Sequence, residues 1–156
     1  MKGDGMVQIT VYGEPGPQGS KRHVGNGVMI ESSKKVKPWR EAVVYAAREA
    51  MRGWPALTGP IVLRMVFTVR KPKSAPKRRR TFPATKPDLS KLARSTEDAM
   101  TTAGVYEDDA RIVEYARLAK VYPMEDPDAL DVPGVRITVH KIDVPPETPA
   151  NPATSG

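Results

Sequence analysis

The run IVLRMVFTV, Ile61–Val69, decides the fold. Ile61, Leu63, Met65, Phe67 and Val69 recur at strict period two, the spacing at which alternate side chains of an extended chain share one face. This predicts the clearest strand in the sequence. Directly after it Arg70, Lys71, Lys73, Lys77, Arg78, Arg79 and Arg80 crowd together, interrupted by Pro72 and Pro76 and followed by Pro83. Those prolines break regular structure, so the strand must run into a strongly basic loop.

Beyond that loop the period changes. In KPDLSKLARSTEDAM, Lys86–Met100, and the residues after it, Leu89, Leu92, Ala93, Thr96, Ala99, Met100 and Ala103 fall on one side of a helix. Lys91, Arg94, Ser95 and Asp98 fall on the other. Gly104 suits the left-handed residue that ends such a helix. Upstream, Val7, Ile9 and Val11 predict a first strand, broken by Gly13–Pro17, and Gly25–Gly27 predicts a turn before a short strand at Val28–Glu31. Pro38 opens another helix with Trp39, Ala42, Val43, Ala46 and Ala50 on one face, stopping near Gly53. Downstream, Ile112–Tyr122 and Val135–Val139 predict two strands, expected to pair as a hairpin around a proline-bounded acidic loop. The order describes one α/β (α+β) domain, a mixed β-sheet with two principal helices on one face. Residues 1–143 are expected to form it. Residues 144–156, rich in proline and poor in apolar side chains, are expected to be a disordered tail.

A chain of 156 residues has enough interior for one core without staples. With no cysteine it can form no disulfide, thiolate nucleophile or cysteine-ligated metal centre. The lack of a long apolar run argues against a membrane span or secretory signal and for a soluble, cytoplasmic protein. The formal net charge of +7 fits a polyanionic partner. Besides the basic loop, Lys21, Arg22, Lys34, Lys35 and Lys37 form a second concentration of cations.

The candidate chemistry lies in two carboxylate groups, Asp88 at the start of the second helix and the pair Asp108 and Asp109 after it. Hydrolysis of a phosphodiester without a cysteine nucleophile, and with only His23 and His140 available, points to metal-assisted attack by water. Hard carboxylate oxygens would hold Mg²⁺, and lysines and arginines would hold flanking phosphates. A helix of about 16 residues rises roughly 24 Å, whereas the five residues after Gly104 reach about 17 Å. One helix therefore separates the two groups, unless it is shorter than its pattern or a partner subunit supplies the second carboxylate. Taken alone, Asp88 also reads as a helix cap, Asp108–Asp109 as a polar turn, and the arginine run as a solvated loop. Glu125, Asp126, Asp128 and Asp131 lack calcium-loop spacing and read as a solvated hairpin loop. Trp39 and Trp54 fit core or interface roles.

The combination of KPDLSKL, EDAMTTAGVYEDDARIVEY and the upstream PGPQGSKRHVGNG resembles the RusA family of Holliday junction resolvases, particularly phage and prophage versions. The resemblance runs from about Val7 to Ile142. It implies a homodimeric, Mg²⁺-dependent endonuclease for branched DNA, with Mn²⁺ a possible substitute, working in the bacterial host cytoplasm if phage-encoded. It implies catalytic roles for Asp88 and Asp109, with Asp108 and Asp98 as reserve metal ligands and Lys91 and Arg94 as phosphate-side cations. DNA binding falls to Lys21, Arg22, Lys73, Lys77, Arg78, Arg79, Arg80 and Lys86. Two departures stand out: the family pattern reads D-L-D-N-L or D-L-D-K-L where this chain has Ser90 as the second acid, and its helix lysine aligns with Arg94. A guanidinium stays protonated, so Arg94 can stabilise charge but cannot move a proton. Ser90 keeps two other readings open, a branched-DNA-binding protein without cleavage and a less selective flap or fork nuclease.

Overall fold

The computed structural model describes residues 5–19, 21–23, 29–31 and 34–143; of residues 21–23 and 29–31 it describes the backbone alone. The elements are β1 (Met6–Tyr12), β2 (Lys21–His23), β3 (Met29–Glu31), α1 (Val36–Ala50), β4 (Ile61–Thr68), α2 (Leu89–Ala103), a 3-10 turn (Asp109–Arg111), β5 (Ile112–Val121) and β6 (Gly134–Lys141). The sequence-based expectations for Gly25–Gly27, Val28 and residues 144–156 lie outside the described residues. The strand β2 was not expected; it pairs antiparallel with β3 in a separate ribbon.

The main sheet is mixed, in the order β1-β6-β4-β5. The alternating apolar residues of the opening strand all face inward, with Ile61, Leu63, Met65 and Phe67 buried, and β4 has neighbours on both edges. The hairpin expected between the last two strands does not form. Strand β5 pairs parallel with β4, and β6 inserts antiparallel between β4 and β1. Both strands seek the most apolar strand, so the connection over residues 122–133 crosses the outer face of β4, where Leu130 N donates to Thr68 Oγ1 at 2.9 Å.

That crossing loop is not simply solvated, as its composition suggested. Arg117 grips Asp126 through two hydrogen bonds of 2.7 Å and Asp128 through one of 2.6 Å. Arg64 also pairs with Asp128, Arg80 reaches Asp126 at 2.8 Å, and Lys71 reaches Glu125 at 2.6 Å. The Asp126 side chain is only 2% exposed. Hydrogen bonds from Arg117 hold its carboxyl well below the usual aspartate range, with Asp128 N and the charges of Arg117 and Arg80 adding to the effect against burial. The acidic loop thereby clips the basic loop to the sheet.

Both helices pack on the inner face. Trp39 of α1 lies against Phe67, ring centroids 6.5 Å apart, and donates its Nε1 hydrogen to Thr96 Oγ1 of α2 at 3.0 Å. Trp54, by contrast, is half-exposed. The expected faces of both helices hold, except that Ser95 is buried. Its hydroxyl donates to Gly16 O at 2.6 Å, so a side chain placed on the polar face by periodicity in fact fastens the loop after β1. Gly16 is needed there: a Cβ would overlap the Lys35 carbonyl and stand 2.8 Å from Trp39 Cβ. Gly104 ends α2 in the left-handed region, φ 82°, as its position predicts. Among the described residues no helix is long and apolar enough to cross a membrane.

Candidate active site at the two ends of helix α2

A β-α-β crossover starts its helix where the first strand ends and returns it to where the second strand begins. Asp88 therefore stands beside the ends of β4 and β5, and Asp109 stands at the beginning of β5, beside the last turns of α2. The 15 residues of α2 rise about 22 Å between them. One chain does not bring the two aspartates together.

At the first end, Asp88 occupies the N-cap position but its side chain makes no capping hydrogen bond. The reading of this aspartate as a cap is thus corrected. Its carboxylate, 54% exposed, lies 3.7 Å from Lys91 Nζ. Lys120, near the end of β5, donates to the carbonyls of Thr85 and Pro87, each at 2.7 Å, and so ties the segment before Asp88 to the sheet. Burial pulls the Lys120 ammonium below the ordinary lysine range, and the Asp88 charge opposes that fall. Beside Asp88 opens a cleft of about 410 Å³ between the segment after β1 and the segment before α2. Lys86 and Lys91 are on its lining.

At the second end, Asp108 caps the 3-10 turn, its Oδ1 accepting from Ala110 N at 2.9 Å. The turn swings Asp109 back onto α2, where Thr101 Oγ1 donates to it and the Asp98 carboxyl group lies beside it. Glu97 is close by and accepts from the Tyr115 hydroxyl at 2.6 Å. Burial raises Glu97 above the usual carboxylate range; the charges of Asp109 and Asp98 add to the rise, and the Tyr115 hydrogen bond opposes it. Asp98 is raised too, first by burial and then by its hydrogen bond with Asp109 and that group's charge, against the pull of Arg40 and Arg94. Crowded anions hold protons more tightly unless a cation joins them. The Asp98 and Asp109 oxygens fit a hard divalent cation in donor type, and Asp88 offers the same donor at the other end. Among the described residues no three acidic or histidine side chains of one chain converge as a metal cage.

The remaining candidates divide by environment. Lys73, Lys77, Arg78, Arg79 and Lys86 are exposed, as are Lys91 and Arg94 on the outer side of α2. Arg80 is engaged with Asp126 and lies over the Phe82 ring, 4.7 Å from its centroid. Lys21 and Arg22 are on the β2 ribbon, where only the backbone is described. Sequence reasoning passed over Lys120 and Tyr115. Two extra residues in β5, Val113 and Ala116, interrupt its register with β4 and turn Tyr115 inward beside Leu63. Between these bulges the simple alternation of β5 misplaces that side chain, whereas Lys120, level with Phe67, keeps the inward parity.

Residues 13–140 match the family model described as Endodeoxyribonuclease RusA. No curated protein matches the chain.

Proposed function

The chain belongs to the RusA endodeoxyribonuclease family, and we propose that it resolves four-way DNA junctions as a homodimer by Mg²⁺-dependent phosphodiester hydrolysis, with Mn²⁺ able to substitute. The observation that carries this reading is the carboxylate of Asp88, released from capping and set among Lys91, Lys120 and the cleft. Asp88 and Asp109 are the favoured metal ligands, with Asp98, beside Asp109, as the nearer reserve and Asp108, occupied in capping, as the other. The chemistry a bound Mg²⁺ supplies is neutralisation of phosphate charge and activation of water. Lys91 contributes a mobile ammonium beside Asp88, and Arg94 a fixed positive charge on the same face of α2. The exposed cations of the basic loop, with Lys86, Lys21 and Arg22, hold flanking phosphates and so fix the strand's register.

The dimer follows from the separation along α2. A twofold axis near β5 and α2 would set one subunit's Asp88 against the partner's Asp109, giving two symmetric composite sites for two opposed strands. The edge of β5 suits such a contact: Val113 is 61% exposed and Tyr115 44%, while the two bulges discourage open-ended strand pairing. Residues 1–143 form the nuclease unit in this reading, and residues 144–156 take no part in it. The setting implied is recombination or phage DNA processing in the bacterial cytoplasm.

Cleavage of an end-labelled four-way junction with Mg²⁺, Mn²⁺ or EDTA tests the proposal. Paired, metal-dependent nicks lost in both Asp88→Asn and Asp109→Asn are expected. Junction binding with no cutting under any divalent metal would move the reading to a binding protein, the rival that Ser90 favours. Equal cutting of flaps, forks and junctions would make it a less selective nuclease.

A further inference from the structure

The cleft beside Asp88 is built rather than incidental. Its first wall, the segment after β1, is pinned where Gln18 N donates to Lys91 O at 3.0 Å and where Ser95 grips Gly16 O. Its second wall, Thr85–Pro87, is pinned by Lys120. Between them Pro15, Pro17, Val69, Pro83, Pro87 and Tyr122 give the cleft a largely apolar share of its lining. The lining also carries Arg70, Lys86 and Lys91 together with Lys35, whose charge is matched by Glu14 at 2.9 Å. Asp88 is part of the same lining.

A lining that combines proline and tyrosine rings with several cations fits a ligand with a flat ring and an anionic backbone. The volume, about 410 Å³, lies in the roughly 300–1,000 Å³ range of small-molecule pockets, on the scale of a single nucleotide. We propose that this cleft receives a single unstacked nucleotide of the bound DNA strand, its base between the proline walls and its phosphate on the Lys86 and Lys91 side, next to Asp88. This rests on the DNA-cutting reading above and deepens it. A nucleotide can enter only where leaving the stack is cheap, and the bases that flank a branch point meet that condition while those of an intact duplex do not. Ring contacts of this kind tolerate every base, so the cleft would select for structure rather than sequence. Branch selectivity then comes from what the cleft admits, beyond what the basic loop attracts.

The test uses four-way junctions carrying 2-aminopurine at successive positions around the exchange point, bound to the full chain in EDTA so that nothing is cut. A several-fold rise in fluorescence is expected at one position per symmetric arm, as the base leaves the stack. Thr85 is exposed on the wall and belongs to neither the metal nor the phosphate contacts. Thr85→Leu should narrow the cleft, abolish the rise and weaken the preference for junction over plain duplex while duplex affinity stays within about threefold, and Thr85→Val, nearly equal in volume, should keep the rise and the preference. Circular dichroism checks the fold of both variants. Wild type that binds the junction with no rise at any position overturns the cleft proposal alone, as does a rise unchanged in Thr85→Leu. Failure of wild type to bind the junction overturns the functional reading and the cleft proposal with it.

Discussion

Mixing two inactive variants should restore cutting. A divalent cation sits within roughly 2.0–2.6 Å of each of its oxygen ligands, so carboxylates at opposite ends of a helix about 22 Å long cannot share one ion within a chain. If the site forms across a twofold axis, Asp88→Asn and Asp109→Asn each spoil both sites of their own homodimer. In a heterodimer of the two, one composite site carries both substitutions and the other carries neither. Random exchange of equal amounts makes about half the dimers mixed, each with one intact site, so nicking should return to about a quarter of the wild-type rate. The products should be single nicks, because paired cuts need both sites. The assay is nicking of an end-labelled junction after the two variants, bearing different tags, are co-refolded, with mixed dimers verified by tandem affinity capture. Verified heterodimers no more active than either parent would refute assembly across subunits.

Replacing Asp126 by Asn should cost about 2 kcal/mol, since hydrogen bonds to a charged group are worth about 1.5–3 kcal/mol each when buried and less where the arginines reach solvent; urea unfolding measures it. The pH dependence has a definite sign: the Asp126 carboxyl is held below its ordinary value in the fold, so its contribution is present above about pH 4 and is lost as pH falls below that. Acid titration of the melting temperature should show the loss in wild type and a shallower one in Asp126→Asn. Gly16→Ala should destabilise by about 1–3 kcal/mol, because the new methyl group meets the Lys35 backbone rather than a movable side chain. Lys120→Met should lower the rate of the bound junction's cleavage while leaving junction affinity nearly unchanged, because it releases the segment that sets Asp88 without removing a phosphate contact; single-turnover kinetics beside a binding titration separate the two.

Much of this arrangement was legible in residue order because periodicity reports which face is buried. The alternation of Ile61–Val69 and the apolar stripe of α2 with Gly104 at its end read out directly, and the rise of α2 against the short reach to Asp109 already kept the two acids apart. Other features depend on partners that periodicity does not encode. Pairing of β5 with β6 looked natural from adjacency, yet β4 offers both strands a more apolar neighbour. Ser95 lies at the border of the polar face and is buried because the Gly16 carbonyl comes down upon it. The Asp88 position has the form of a cap, but its carboxylate turns to Lys91. Strand β5 hid Tyr115 behind two inserted residues, while Lys120 kept its inward parity unremarked among apolar neighbours.

The clasp between the acidic and basic loops bears on how salt governs the protein's grip on DNA. Lys71, Arg80 and Arg117 already face carboxylates, so the arrival of a phosphate frees few ions from them. Counterion release from the basic loop then falls mainly to its exposed cations Arg70, Lys73, Lys77, Arg78 and Arg79, which at about 0.9 per phosphate give a slope near −4.5 in log affinity against log salt. The run of seven cations read from the sequence would give about −6 on the same rule. The acidic loop is thus an internal counterion, fixed covalently in place, and it lowers the sensitivity of DNA binding to the ionic strength around it.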